Sequence, residues 1–171
     1  MRLAAALGIA CVLIAHAFAQ SPSTQEFVTK VAVSDVFEIQ SSELAAQRGN
    51  AEVKSFAERM LKDHTKTSKE LKAMVSKAKA KIKLPTALDA EHKTKLGQLQ
   101  KLKGDEFNGA YLSAQLQAHE EAVKLFEAYS KNGDDAQLKS WAAKTLPSLR
   151  EHLEHARKLT KDSRNLTKDE K

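Results

Sequence analysis

The sequence predicts an all-α domain, an up-down bundle of four long helices with a short extra helix in the crossover between the second and third. Three observations lead there. Glycine and proline are scarce, 6 and 3 in 171 residues, so few points interrupt a helix. Apolar residues recur at three- and four-residue intervals over long stretches. Side chains that cap helices stand where several of those stretches begin.

Ahead of the bundle, Met1-Arg2 and the apolar run Leu3 to Phe18 lead into Ala17-Phe18-Ala19, the pattern of a cleavable secretory signal over residues 1–19. The run is shorter than the roughly 20 residues a membrane-spanning helix needs, and no later segment is long and apolar enough to span. Cleavage after Ala19 leaves residues 20–171, enough for one domain with a core of its own: a bundle over 20–160 and a polar, flexible tail over 161–171. Cys11 is the only cysteine and departs with the signal, so the mature chain has no thiol chemistry. Gly8-Ile9-Ala10-Cys11 is a poor lipoprotein acylation box, because Gly8 stands where leucine is usual. The expected location is periplasmic or secreted.

The first helix starts near Ser23, where Ser23 and Glu26 form a capping-box pair, and stops before Gly49. Its inner stripe reads Phe27, Val31, Ser34, Glu38, Ser42, Ala45. Asn50 caps the second helix, which runs to about Ala80 with Val53, Phe56, Ala57, Met60, Leu71 and Met74 inward. The two-residue turn Gly49-Asn50 makes these helices an antiparallel hairpin. Pro85 ends any continuation, and Asp89 to Leu102 reads as the short helix. A third long helix follows from about Asp105 to Lys131-Asn132-Gly133. The last starts after an Asp134 or Asp135 cap and carries Leu138, Trp141, Leu146, Leu149, Leu153, Ala156 and Leu159. Pro147 lies inside it, where it removes a hydrogen bond and favours a kink. From Thr160 the composition is polar and fraying is expected.

The chain is basic, net +6 overall. Its lysines concentrate at Lys66, Lys69, Lys72, Lys77, Lys79, Lys81 and Lys83, with Glu70 the only acid among them. A solvated helix face explains them, with cations near a helix C-terminus; the alternative is a patch for an anionic envelope surface. No aromatics interleave with these lysines, so no nucleic-acid partner is expected.

Each long helix places one ionisable residue in its apolar stripe: Glu38, His64, His119 and His152. Measured from the first turn, helix rise puts Glu38 about 17 Å and His64 about 21 Å along the bundle. If the crossover makes the third long helix parallel to the second, His119 lies at about 21 Å and His152 at roughly 13 Å. Four groups then cluster within one or two turns. They are either a hydrogen-bonded network or ligands to a metal ion, for which bundle cores are common hosts. Three histidines and a carboxylate suit zinc, iron, manganese or copper. Asp63, next to His64, is placed to orient a ligand rather than bind. Glu151 and His155 read as an i, i+4 surface pair. No nucleophile–base arrangement is visible, so acyl transfer is unsupported.

Several segments resemble an exported bacterial ferritin-like family known as domain of unknown function 4142. They are Phe27-Val28 through Glu38-Ile39 with Leu44-Ala45, Val53-Lys54-Ser55-Phe56-Ala57 with Met60 and Asp63-His64, Gly104-Asp105-Glu106-Phe107 with Tyr111 and His119, and Leu146-Pro147-Ser148-Leu149 with His152-Leu153. The resemblance implies a ferritin-like four-helix bundle with a crossover between the second and third long helices, and a metal centre in its core. Ferritin-like di-iron sites use Glu-x-x-His on two helices. Here Leu61 and Leu149 precede His64 and His152 by three, so a di-iron oxidase is not what these residues spell. The sequence therefore points to metal binding or buffering through Glu38, His64, His119 and His152. The alternative is a non-catalytic envelope protein that acts through its lysine face, with the histidines purely structural. Metal-dependent peroxide or oxygen chemistry requires an open coordination position.

Overall fold

The computed structural model describes residues 22–78 and 81–169, with side chains through Asn165. The signal read over residues 1–19 lies outside these residues. Five helices occupy the described chain: α1 Thr24–Arg48, α2 Ala51–Lys77, α3 Ala90–Lys101, α4 Gly104–Asn132 and α5 Ala136–Asp169. Among the described residues none forms a strand, and no helix is long and apolar enough to cross a membrane.

The capping chemistry fixes where helices start. Ser23 and Glu26 close a reciprocal capping box at α1, and the side chains of Asn50, Asp89 and Asp135 accept from Val53, His92 and Leu138 amides at 2.9 Å each. Between α1 and α2 the chain turns tightly: a Cβ at Gly49 would stand 2.5 Å from Val53 Cγ1. Gly104 has φ +55°, a left-handed conformation that glycine adopts without steric cost and that starts α4.

Cross-helix pairs give the topology. Ser42 meets Tyr111, Ser41 meets Gln115 and Phe27 meets Phe126, so α1 and α4 are antiparallel. Trp141 Nε1 donates to Glu70 and Arg59 to Glu151, so α5 is antiparallel to α2. Consequently α2 and α4 run in the same sense, as a crossover through α3 requires. α5 is continuous through Pro147 and reaches Asp169. Pro147 is exposed, as is Ala143, whose carbonyl the proline leaves without its helical donor, so water can satisfy it. The polar composition from Thr160 onward, read as a fraying tail, is helical here. Thr160 is buried, and its hydroxyl donates to the Ala156 carbonyl at 2.7 Å.

The apolar core falls into two clusters. One, near the α1–α2 turn, gathers Phe37, Phe56, Met60, Leu99, Phe107 and Tyr111. The other, at the opposite end, gathers Phe27, Leu71, Phe126, Tyr129, Leu138 and Trp141. Between Met60 and Leu71 on α2, and between Leu112 and Phe126 on α4, lies a layer of buried polar side chains.

Candidate metal centre

Three of the long helices each give that layer one histidine. α2 contributes His64, α4 His119 and α5 His152, which are 5%, 1% and 2% exposed. Their ring centroids form a compact triangle, 5.5 Å between His64 and His119, 5.8 Å between His64 and His152, and 5.3 Å between His119 and His152. One ring nitrogen from each lies within 4.8 Å of the other two. The helical spacing that predicted a common depth thus corresponds to real proximity for the three histidines.

In each ring, one nitrogen is tied to an acceptor. His64 Nδ1 donates to Asp35 Oδ1 at 2.8 Å. His119 Nδ1 donates to the Gln115 carbonyl at 2.9 Å, and His152 Nε2 donates to Asp63 Oδ2 at 2.9 Å. Such bonds fix the tautomer and the ring orientation. The remaining nitrogens, His64 Nε2, His119 Nε2 and His152 Nδ1, are buried without a hydrogen-bond partner. An unmet buried polar atom costs about 1–3 kcal/mol. Three at one level, each with its lone pair set free by a bond on the other side of the ring, form a donor set suited to a transition-metal ion.

Glu38 lies in the layer, 1% exposed, but outside the set of mutually close nitrogens. Its Oε1 is 3.9 Å from His119 Nδ1, the nitrogen already committed to Gln115, and its Oε2 has no partner. The Gln115 side chain bridges Ser41 at 3.3 Å and the Glu38 carboxylate. Burial pushes the Glu38 carboxyl up to about 7, against the opposing charge of His64 and the Gln115 hydrogen bond. A protonated Glu38 carries a hydroxyl, and the Gln115 Oε1 that faces no donor is an acceptor for one.

Electrostatics separates the three imidazoles. Burial, reinforced by the charge of His64, pushes His119 down to about 3 and His152 down to about 4. For His64, burial also disfavours the cation, but the Asp35 hydrogen bond and the charges of Glu38 and Asp35 outweigh it, and its pKa is raised. Two of the three rings are therefore neutral near pH 7, the form that binds metal.

Two residues of this layer were not singled out from the sequence. Asp35 is 4% exposed and accepts from Thr67 as well as His64. It follows Val31 by four and adjoins Ser34, the residue that the stripe pattern points inward. Gln115, fully buried, follows Leu112 by three and precedes His119 by four. Asp63 orients a histidine as its position suggested, but that histidine is His152 on α5 rather than its neighbour in sequence. The expected Glu151–His155 pair is replaced by longer-range contacts: Glu151 binds Arg59 at 2.7 Å and His155 packs edge-on to Phe56 at 5.0 Å. Lys66, Lys69, Lys72 and Lys77 are exposed along α2, the solvated face that the sequence explains, with Lys66 3.9 Å from Glu70.

The fold is similar to that of CopM, solved in its Cu(II)-bound form. The two align with a TM-score of 0.70 over 84% of this chain and 99% of that one, at 16% identity. No curated protein matches the chain in sequence. The family described as Domain of unknown function (DUF4142) matches residues 13–159. With an all-α bundle, nearly the whole described domain inside that match, and the histidine layer within it, the chain belongs to the DUF4142 family.

Proposed function

We propose that this protein binds one transition-metal ion, copper(II) in preference to zinc, in the middle of its bundle through His64 Nε2, His119 Nε2 and His152 Nδ1. The observation that carries this reading is the convergence of three buried histidines, one ring nitrogen of each within 4.8 Å of the others, in every one of which one nitrogen is held by an acceptor and the other has no partner. Imidazole suits copper and zinc, and for a site of this kind copper stands above zinc in divalent-metal affinity. CopM, with a similar fold, carries Cu(II). The export signal read over residues 1–19 would place such a site in the periplasm or outside the cell, where metal binding or buffering is the function best supported. Donors on a tetrahedral ion with bonds of ~2.0–2.1 Å stand about 3.4 Å apart, so the rings draw together as the ion binds. Asp35, the Gln115 carbonyl and Asp63 hold the ring orientations, and Glu38 stands beside the centre as a neighbouring acid.

The test is direct metal analysis of untagged protein after incubation with copper(II) and gel filtration. The expected result is one ion per chain, lost in His119→Leu and His152→Leu proteins that still melt cooperatively. Sub-stoichiometric metal in the native protein, or full occupancy in both variants, would overturn the reading.

A further inference from the structure

The bundle is not closed on all sides of the histidine layer. α3 covers the part of the α1–α4 seam where His92 packs edge-on to Phe37 at 5.3 Å. Along the same seam runs a cavity of about 1120 Å³, open to solvent. Its walls are short side chains at Ser34 on α1 and at Ala114, Ala118 and Ala122 on α4. These leave a gap that longer residues would fill. The cavity also reaches α2, where His64 and Thr67 line it beside Asp35 of α1. Of the three site histidines, only His64 lines it, and that residue is nine-tenths buried with an unpartnered Nε2. A second, smaller cavity, beside His155, touches none of the three.

The charge of the lining runs against that of the chain. The protein is basic, net +6, and such a surface repels cations. The cavity is instead lined by six carboxylates, among them Glu26, Asp35 and Glu121, against three ammonium groups, Lys30, Lys95 and Lys124. Carboxylates that converge on a recess with low-dielectric walls concentrate cations there and raise their rate of association.

We infer that this cavity is the path by which a divalent transition-metal cation reaches the three-histidine centre, with Asp35 and His64 at its inner end as the first contact. The inference rests on the metal-binding reading above and adds a route and a preference for cations over anionic chelates. Glu26 and Glu121 are exposed and draw the ion in. The small side chains of Ser34, Ala118 and Ala122 keep the passage open.

The experiment is rapid mixing of the metal-free protein with aqueous copper(II) at low salt, followed by the absorbance of the bound ion. Glu121→Lys is expected to lower the association rate roughly tenfold, the low end of what focused charge achieves. That difference should shrink at about 1 M salt, where screening extends over only ~3 Å. Glu58→Lys, the same charge change at an exposed α2 position outside the cavity, is expected to leave the rate within about twofold. Ala118→Phe should slow uptake while the final occupancy stays at one ion per chain. Should Ala118→Phe not fold, the comparison of the two charge variants still decides. Equal rates for Glu121→Lys and Glu58→Lys would overturn the route. A native protein that takes up no copper at equilibrium would overturn the underlying metal reading instead, and the two failures are distinct.

Discussion

Two layers of the same bundle, about three turns apart, treat their polar atoms in opposite ways. In the aromatic layer, Phe27 stacks on Tyr129 with ring centroids 3.9 Å apart and meets Phe126 edge-on at 5.1 Å. Every polar tip there has a partner: the Tyr129 hydroxyl bonds to Thr24 and Asp134, and Trp141 Nε1 donates to Glu70 at 2.8 Å. In the histidine layer, the side-chain atoms of the described residues that are buried without a partner all occur together, on Glu38, His64, Gln115, His119 and His152. A chain that satisfies its buried polar groups at one level has the means to do so at the next. The concentration of unmet atoms at one depth is what the proposed metal site would use, and it carries a stability cost that an apolar layer would avoid.

The sharpest way to break that comparison is to truncate each layer in turn. Phe27→Ala should destabilise the protein by about 3–5 kcal/mol, as expected for a buried aromatic, and leave copper stoichiometry unchanged in the folded fraction. Denaturant unfolding with parallel metal analysis checks both. His119→Leu should behave in reverse. It removes an unmet nitrogen and keeps side-chain volume, so the metal-free protein should lose less than about 1 kcal/mol or gain stability. What disappears is the stabilisation by metal, about 2.7 kcal/mol at a hundredfold excess over Kd, read as the difference between melts with and without chelator. A loss of several kcal/mol in the metal-free variant would show that the layer is structural.

Removing an orienting group sharpens the picture further. Asp35→Asn keeps the shape of the site but replaces the carboxylate that holds His64 Nδ1 at 2.8 Å. Copper affinity should fall by roughly 10–100-fold, measured by competition with a chelator of known strength. An unchanged affinity would remove Asp35, and with it the inner end of the cavity, from the account.

The pH dependence of the metal-free protein has a sign that follows from the groups of the layer. His119 and His152 have pKa values lowered to about 3 and about 4 in the fold, so below pH 6.5 the unfolded chain binds more protons at these sites than the native one. Stability from them is present near neutrality and lost as the pH falls from 6.5 toward 4. Glu38 opposes this. Its carboxyl, raised by burial to about 7, contributes stability at low pH that is lost between about 4.5 and 7. Two groups outweigh one, so urea unfolding should show stability rising with pH up to about 6.5. Above that the raised His64 and Glu38 flatten or reverse the trend. Glu38→Gln should steepen the acid side, and an unchanged slope would contradict the assignment.

The fold was legible because its determinants are local. Ser23 with Glu26, Asn50 and Asp89 announce helix starts by side chains that reach only three residues ahead, and three-to-four spacing does the rest. The depth of the histidines was legible for the same reason, since helix rise converts sequence position to height. What helix rise does not encode is azimuth. Ser34 and Asp35 lie at one height and differ by 100° around α1, and the choice between them depends on where α2 packs. Stripe position and depth put Glu38 among the candidate ligands, and its Oε1 lies 3.9 Å from His119 Nδ1, the nitrogen that binds Gln115. The pairing of Asp63 with His152 rather than with its own helix, and the gap between α1 and α4, follow from how helices distant in sequence come together. Neither leaves a periodic trace.

The measurement closest to the centre of this account is an anomalous-scattering map, collected at the copper edge, from crystals of the untagged protein grown with copper(II). One strong peak per chain is expected within bonding distance, about 2.0–2.1 Å, of His64 Nε2, His119 Nε2 and His152 Nδ1. A histidine layer that holds only water, with the copper on surface side chains instead, would contradict it.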